Sequence, residues 1–176
     1  GIAAHFWNKL ERDYQETLAR LEERERLEGQ VAWLKKLPVK EICERGWVLQ
    51  ARDPVVQLVE VLRFFQVASV ECWEEMWRSP DVAFRKSPAY ESNPGAVAAW
   101  LRRGEIEAQE ILCAPFDRDA LRATLPQIRT FTRKDPGWFC PELVRVCAAV
   151  GVAVVFVPEL PKTCVWGASR WLKADK

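Results

Sequence analysis

A run of six apolar residues, Val152 to Val157, places the strongest constraint on what this chain can fold into. A strand with this pattern is apolar on both faces, so other elements must cover both sides of it. The segment Gly167 to Leu172 follows a turn that contains prolines, and it is the predicted antiparallel neighbour of the run. Because two strands make too small a sheet to be stable alone, the pattern also predicts helices packed on this sheet.

A second pattern, near the N-terminus, is helical. Large apolar residues recur there at steps of three and four, which is the spacing of one helix face. The members of this repeat are Trp7, Leu10, Tyr14, Leu18 and Leu21. The repeat predicts a long helix from Ala3 to Lys36, with Gly29 as its weak point. A helix with so narrow an apolar stripe packs on its own domain or pairs with a partner helix.

Residues typical of helix starts predict most of the other elements. Asp53, Asn93 and Asp135 each precede a proline, and Ser69 and Asp117 each precede a helical pattern of apolar residues. The sequence therefore predicts a mainly α, multi-helical fold with a small C-terminal β-hairpin or sheet fragment, α+β overall.

Cysteine and histidine usage argues against a metal site. The chain has six cysteines with no Cys-x-x-Cys pair, and its single histidine is His5. Structural zinc requires four convergent ligands, usually in short paired spacings. Reduced thiols packed as small apolar groups, as at Cys43 and Cys147, are the predicted state, and a metal site or disulfide is the alternative.

Catalytic groups are equally sparse. A His-Glu-x-x-His zinc motif is excluded, because it needs two histidines. Glu105, Glu107 and Glu110 share one predicted helix, where a solvated acidic face is the ordinary explanation of such a group. The sequence predicts no catalytic, cofactor-binding or metal-binding residue and no bound cofactor, and hence no enzyme activity in the chain as given.

Charge argues against a strongly electrostatic nucleic-acid binder, because 26 basic residues are balanced by 25 acidic ones. A local patch remains an alternative; its members would be Arg85, Lys86, Arg102 and Arg103 with Trp100 or Tyr90. Trp73, Trp77 and Trp100 fit core positions of helices. Trp166 and Trp171 flank the second predicted strand, where aromatic residues serve as interface anchors. No signal peptide or membrane-spanning run is visible, which favours a soluble cytoplasmic protein that does not contact membranes.

Two segments resemble one family of bacterial regulators. The opening segment AHFWNKLERDYQETLA is similar to the helix that follows the helix-turn-helix of HigA-type regulators of the Xre class, through Phe6, Trp7, Leu10 and Tyr14. The segment LVRVCAAVGVAVVFVPEL, continued by GASRWL, resembles the opening of the ImmA/IrrE zinc metallopeptidase domain. Three intervening segments, beginning at Leu37, Leu62 and Ala83, resemble the linker of the same proteins.

This resemblance implies a cytosolic transcriptional regulator or toxin-antitoxin antitoxin that dimerises on operator DNA. The DNA-reading motif would precede Gly1 and the zinc helix would follow Lys176, so no site residue is carried over to this chain. Residues 1–36 would be a helical arm, residues 39–134 a helical linker or sensor domain, and residues 135–176 the start of a peptidase-like domain.

The leading hypothesis is a non-catalytic regulatory or interaction region of a DNA-binding regulator or antitoxin. Its partner would be a protein, either a toxin or a second copy of the chain, and DNA would be bound only through a domain outside this chain. One alternative is the front part of a zinc metallopeptidase that cleaves a repressor. Another is a stand-alone adaptor that binds proteins through the Trp-bearing sheet edge.

Overall fold

The computed structural model describes residues 4–77, 83–86, 92–131 and 133–172, without the side chains of residues 4, 6 and 83–86. Helices form most of the described chain, which confirms the mainly α prediction. None of the helices in these ranges combines the length and the apolar character needed to cross a membrane.

The chain divides into two compact units, Gly1–Ser79 (unit 1) and Pro80–Lys176 (unit 2). These bounds follow packing, and they differ from the three segments predicted from the resemblance. The division into an arm, a linker or sensor domain and a peptidase-like start stays a prediction.

Unit 1 is helical. Its elements are α1 (Ala4–Glu28), a 3₁₀ helix (Val31–Lys36), α2 (Val39–Glu44), α3 (Pro54–Phe65) and α4 (Val70–Trp77). α1 ends one residue before Gly29, so the helix predicted to run on to Lys36 is interrupted at its weak point. The predicted start, Ala3, lies outside the described residues. α3 contacts α1, the 3₁₀ helix and α4.

An aromatic cluster forms the core of unit 1. Trp33, Phe65, Trp73 and Trp77 are each at most 7% exposed. The ring centroids of Trp33 and Trp73 lie 5.1 Å apart, and those of Phe65 lie 5.6 Å from both Trp73 and Trp77. All three pairs meet edge to face, an arrangement that adds to the stabilisation from burial. The predicted core positions of Trp73 and Trp77 are therefore confirmed.

Unit 2 combines helices with two short strands. Its elements are β1 (Ala83–Lys86), α5 (Pro94–Gln109), α6 (Arg118–Phe131), α7 (Pro136–Ala148) and β2 (Val165–Ser169). α6 packs against α7. α5 buries a face rich in alanine, which includes Ala96, Ala98 and Ala99.

The predicted helix starts are confirmed by their caps. The side-chain oxygens of Asp53, Asn93, Asp117 and Asp135 accept hydrogen bonds of 2.8–3.0 Å from backbone N–H groups two or three residues ahead. Ser69 Oγ accepts a longer one, 3.3 Å, from the Cys72 N–H. Such bonds satisfy N–H groups that the first turn of a helix leaves without partners.

The predicted pairing of the two C-terminal strands is wrong. β2 pairs antiparallel with β1, with Phe84 opposite Ala168 and Arg85 opposite Gly167. Val152 to Val157 is extended but joins no ladder with the described residues. The reason is that this run lies along α5, where the Trp100 indole N–H donates a 3.1 Å hydrogen bond to the Val157 carbonyl oxygen.

Gly151 allows the chain to enter this extended run. Its φ of 84° is a conformation that residues with a Cβ rarely adopt. A Cβ built there would lie 2.3 Å from Phe116 Cα, so only glycine lets the two backbones pass. Asp117 N–H donates to the Val150 carbonyl oxygen at 3.2 Å beside this crossing, which fixes the start of the run against the segment before α6.

Candidate functional site

A groove of about 980 Å³ lies in unit 2 between α5, the extended run Val152 to Pro158 and the C-terminal part of β2 with the residues that follow it. Its volume is at the upper end of the range for small-molecule pockets. Most of the lining side chains are apolar. The groove is the best candidate for a functional site because it combines an unpaired backbone segment, exposed aromatic side chains and the ion pair Glu105–Arg170.

The extended run forms one wall of the groove and packs on α5 through part of its side chains. A Cβ built on Gly104 of α5 would lie 3.7 Å from Val157 Cγ2 and 3.8 Å from Val155 Cγ2, so these two valines approach the helix there. Phe156, between them in sequence, is 51% exposed. The run is therefore covered by α5 on one face and remains open on the other.

The backbone of this run is unpaired. Val152 N–H donates to the Cys147 carbonyl oxygen at 2.9 Å, and the Val157 carbonyl oxygen accepts from Trp100. Between them, the N–H and C=O groups of residues 153–156 form no hydrogen bond with any described residue. Nearly all backbone polar groups that are shielded from water are paired in folded proteins. An extended half-buried segment with four unpaired residues is thus an edge that another strand can complete.

Aromatic side chains stand exposed around the groove. Trp166 on β2 is 79% exposed and Trp171 is 62% exposed, although Trp171 meets Phe116 edge to face with ring centroids 5.0 Å apart. The sequence predicted that these two tryptophans lie at a sheet edge. Exposed aromatic groups that share one groove with Phe156 form the kind of patch that marks a protein-interaction site.

The charged side chains at the groove form ion pairs with one another. Glu105 Oε2 accepts from Arg102 Nη1 at 2.9 Å, and Glu105 Oε1 accepts from Arg170 Nη1. Arg102 is only 5% exposed and the Glu105 side chain 11%, so this pair is largely removed from water, whereas 30% of the Arg170 side chain is exposed. Because both carboxylate oxygens of Glu105 already have cationic partners, the cluster ties α5 to the end of β2 and leaves no free acid or base at this position.

This arrangement corrects the interpretation of the acidic residues. Glu105 is not on a solvated acidic face, because it lies against two arginines with 11% of its side chain exposed. Glu107 is partly exposed and pairs with Arg103 at 2.7 Å. Glu110, just past the end of α5, is exposed as predicted.

The basic patch that the sequence left as an alternative is not formed by free cations at its two described arginine side chains. Arg102 is buried against Glu105, and Arg103 pairs with Glu107. The Trp100 indole is bonded to the Val157 carbonyl oxygen rather than presented to a base. Arg85 and Lys86 are described by their backbone alone, and Tyr90 lies outside the described residues.

The cysteine thiols and His5 are the remaining candidates for reactive groups. All six cysteines are free thiols, and Cys147 is buried. Burial raises the pKa of the Cys147 thiol, and the neighbouring Cys113 raises it further, so Cys147 stays protonated and poorly nucleophilic near neutral pH. His5 is exposed on α1 in unit 1. Within the described part of the chain, no group of three His, Cys, Asp or Glu residues is placed to hold a metal ion.

Comparison of the chain with protein-family models, curated proteins and solved structures found no match. The geometry of the groove is therefore the basis on which its function can be argued.

Sequence reasoning located part of this site and missed the rest. It singled out the apolar run and the two exposed tryptophans. It did not predict that Gly104, Phe116 and Cys113 line the groove, because these residues reach it only through the packing of α5 and the segment before α6. One sequence signal could have pointed to these residues. Val152 to Val157 is uniformly apolar, so other parts of the chain were expected to cover both of its faces.

Proposed function

We propose that this chain is a non-catalytic protein-interaction region of a DNA-binding transcription regulator or antitoxin. We further propose that its groove binds an extended, apolar segment of a protein partner. The observation that carries the binding proposal is the unpaired backbone of residues 153–156 beside exposed Phe156 and Trp166. The regulator and antitoxin role, with cytoplasmic location and DNA contact through a domain outside this chain, rests on the sequence resemblance to Xre-class proteins.

The proposed binding mode follows from the unpaired backbone N–H and C=O groups of residues 153–156. A strand laid beside Val152 to Val157 would pair with the free N–H and C=O groups, as in complexes where a peptide extends a sheet edge. Successive side chains of such a strand point to opposite faces. Every second residue of the partner would therefore enter the apolar groove, and the residues between them would face solvent.

The aromatic groups would supply most of the affinity. Trp and other large aromatic side chains dominate binding energy at protein interfaces when a partner removes them from water. Trp166, Trp171 and Phe156 are exposed in the chain by itself, so each has apolar surface left to bury. The Glu105 cluster would contribute shape rather than charge recognition, because its carboxylate is already occupied.

A display library of short random peptides tests the proposal directly. Peptides selected on the wild-type chain should carry apolar residues at alternating positions and should lose at least about tenfold in affinity for Trp166→Ser, the usual loss at an interface anchor. Trp138→Ser is the matched control, because Trp138 is an exposed tryptophan of unit 2, at 51%, that does not line the groove. Bound peptide should slow amide hydrogen exchange at residues 153–156.

Peptides that bind Trp166→Ser as tightly as the wild type, or that leave exchange at residues 153–156 unchanged, would contradict groove binding. The regulator role is tested separately, by asking whether the protein that contains this chain binds DNA upstream of its own gene. Absence of such binding would remove the regulator role and leave the peptide-binding groove intact.

A further inference from the structure

Two cysteines, Cys113 and Cys147, lie on neighbouring stretches of backbone in unit 2. The N–H of Ala114 donates a 2.9 Å hydrogen bond to the carbonyl oxygen of Ala148, so the residues that follow the two cysteines are in direct contact. Stretches of backbone joined by such a bond run about 5 Å apart. Disulfides join residues whose Cα atoms lie about 5.5–6 Å apart. The backbone geometry therefore suits a disulfide between these two cysteines.

The Cys113 thiol is close enough to affect the ionisation of Cys147. Burial raises the pKa of the Cys147 thiol, and repulsion from Cys113 raises it further. Such repulsion weakens with distance, so it indicates that the two sulfur atoms are neighbours. It also destabilises the thiolate of the reduced pair, and a dithiol whose thiolate is not stabilised favours the disulfide at equilibrium. The electrostatic effect thus agrees with the backbone contact.

The two thiols differ in their access to solvent. Cys113 is partly exposed and lines the groove, whereas Cys147 is buried and does not line it. Redox-responsive sites use this combination, in which an accessible thiol meets the oxidant and a second thiol beside it resolves the product. Packing as a small apolar group explains Cys147. It does not account for a second thiol next to Cys147 that opens to the groove.

We propose that Cys113 and Cys147 form a reversible intramolecular disulfide when a hydroperoxide enters the groove. The Cys113 thiolate attacks a peroxide oxygen, the O–O bond breaks, and Cys113 becomes a sulfenic acid while the released oxyanion takes up a proton. The Cys147 sulfur then attacks the Cys113 sulfur, the S–O bond breaks, and the hydroxyl group leaves as water with the Cys147 proton. With hydrogen peroxide, two thiols are oxidised to one disulfide and the peroxide is reduced to two water molecules. Because the Cys147 thiol is protonated near neutral pH, the second step relies on its proximity to Cys113 rather than on a large thiolate fraction.

The disulfide would fasten the segment before α6 to the end of α7, at one end of the groove. That segment already crosses the chain at Gly151, and beside this crossing the Asp117 N–H donates to the Val150 carbonyl oxygen. A covalent bond at Cys113 would hold the crossing closed with or without a bound peptide, so the proposal does not depend on the proposed peptide binding. In a cytoplasm, where glutathione keeps thiols reduced, disulfides of this kind are transient and report oxidation.

Peptide mapping without reducing agent tests the disulfide. Trypsin would place Cys113 and Cys147 in separate peptides, residues 104–118 and 146–162. After brief treatment of the chain with hydrogen peroxide, these two peptides should appear linked, and dithiothreitol should separate them. Cys113→Ser should abolish the linked species. Cys140→Ser is the matched control, because Cys140 is also on α7 but lies in neither peptide, and this variant should still form the link.

Cys147→Ala tests the order of the two steps, and alanine keeps the buried position small and apolar. Its fold is checked by circular dichroism. In this variant the Cys113 sulfenic acid has no resolving partner, so its trapping by dimedone should rise several-fold over the wild type. Equal trapping in the two chains would overturn the proposal. A peptide link from Cys113 to any other cysteine, or no link at all, would also overturn it.

Hydrogen exchange tests the fastening of the segment before α6. In the oxidised wild type, amides of residues 114–117 should exchange at least about tenfold more slowly than in the reduced chain, because the disulfide restricts local opening. In Cys113→Ser, peroxide should leave their exchange unchanged. Exchange that oxidation does not slow in the wild type would show that the disulfide fails to hold the segment against α7, which would overturn this part of the proposal.

Discussion

Unit 1 and unit 2 bury different kinds of groups. In unit 1 the core is an aromatic cluster around Phe65 and Trp73, and the ion pairs, such as Arg24–Asp53, lie at the surface. In unit 2 the face of α5 is built of small residues, and the same helix carries a largely buried ion pair, Arg102–Glu105. The difference teaches that similar apolar content can produce either a closed core or an open groove. The outcome depends on whether large side chains meet one another or line a gap.

The largest effect is expected from breaking the aromatic core of unit 1. Phe65→Ala removes a ring that is 2% exposed and that meets Phe64, Trp73 and Trp77 edge to face. The free energy of unfolding should fall by about 4 kcal/mol, because the removed ring leaves a cavity. Chemical denaturation, with hydrogen exchange of α3 amides to locate the loss, measures this.

Val56→Ala provides the control on the same helix, because Val56 is 45% exposed. Its cost should be under about 1 kcal/mol. If Phe65→Ala were no more damaging than Val56→Ala, the aromatic cluster would not be the stabilising core of unit 1.

A smaller but still large effect is expected from the charge cluster of unit 2. Glu105→Gln keeps the shape of the side chain but removes the charge between Arg102 and Arg170. The unfolding free energy should fall by about 3 kcal/mol, since the substitution removes the negative charge from a largely buried ion pair. Hydrogen exchange should quicken in α5 and in β2.

Glu107→Gln is the matched control for Glu105→Gln. It removes the charge from a similar ion pair with an arginine, Arg103, on the same helix but in a more exposed position. Its effect should be under about 1 kcal/mol, as solvent screens partly exposed pairs. Equal effects of the two substitutions would mean that burial of the Glu105 cluster does not matter for stability.

The starts of the helices could be predicted from sequence because a cap depends on a few adjacent residues. Asn93 and Asp135 bond to N–H groups within their own first turns, so their identity and the following proline were sufficient. The aromatic core was predictable in part, since Trp73 and Trp77 fall on the apolar face of a short helix.

The groove and its strand could not be predicted in the same way, because they depend on contacts between distant segments. β1, only four residues long, pairs with β2 across about half of the chain, whereas the more apolar run at Val152 lies on α5. The burial of Glu105 depends on Arg170, which is 65 residues away. Spacing alone placed three glutamates on one predicted helix but could not show which of them faces the protein interior.

The smallest expected effect concerns the exposed ion pair of unit 1, and it appears as a pH dependence. A 2.8 Å hydrogen bond from Arg24 lowers the pKa of Asp53 below its ordinary value of 3.8, and the Val55 N–H lowers it further. The folded state therefore favours the ionised carboxylate. Asp53 contributes stability above its unfolded pKa and loses that contribution as pH falls through the folded pKa.

Asp53→Asn isolates this contribution, because asparagine is an equally good N-cap and only the charge changes. The wild type should be slightly more stable than Asp53→Asn at neutral pH, and the difference should shrink as pH falls below about 4. In an Arg24→Gln background most of this pH dependence should disappear, since the largest cause of the shift is gone. A stability difference that stays constant down to acid pH would show that the folded state does not stabilise the ionised form of Asp53. The Arg24–Asp53 pair would then contribute nothing comparable to the largely buried Arg102–Glu105 pair of unit 2.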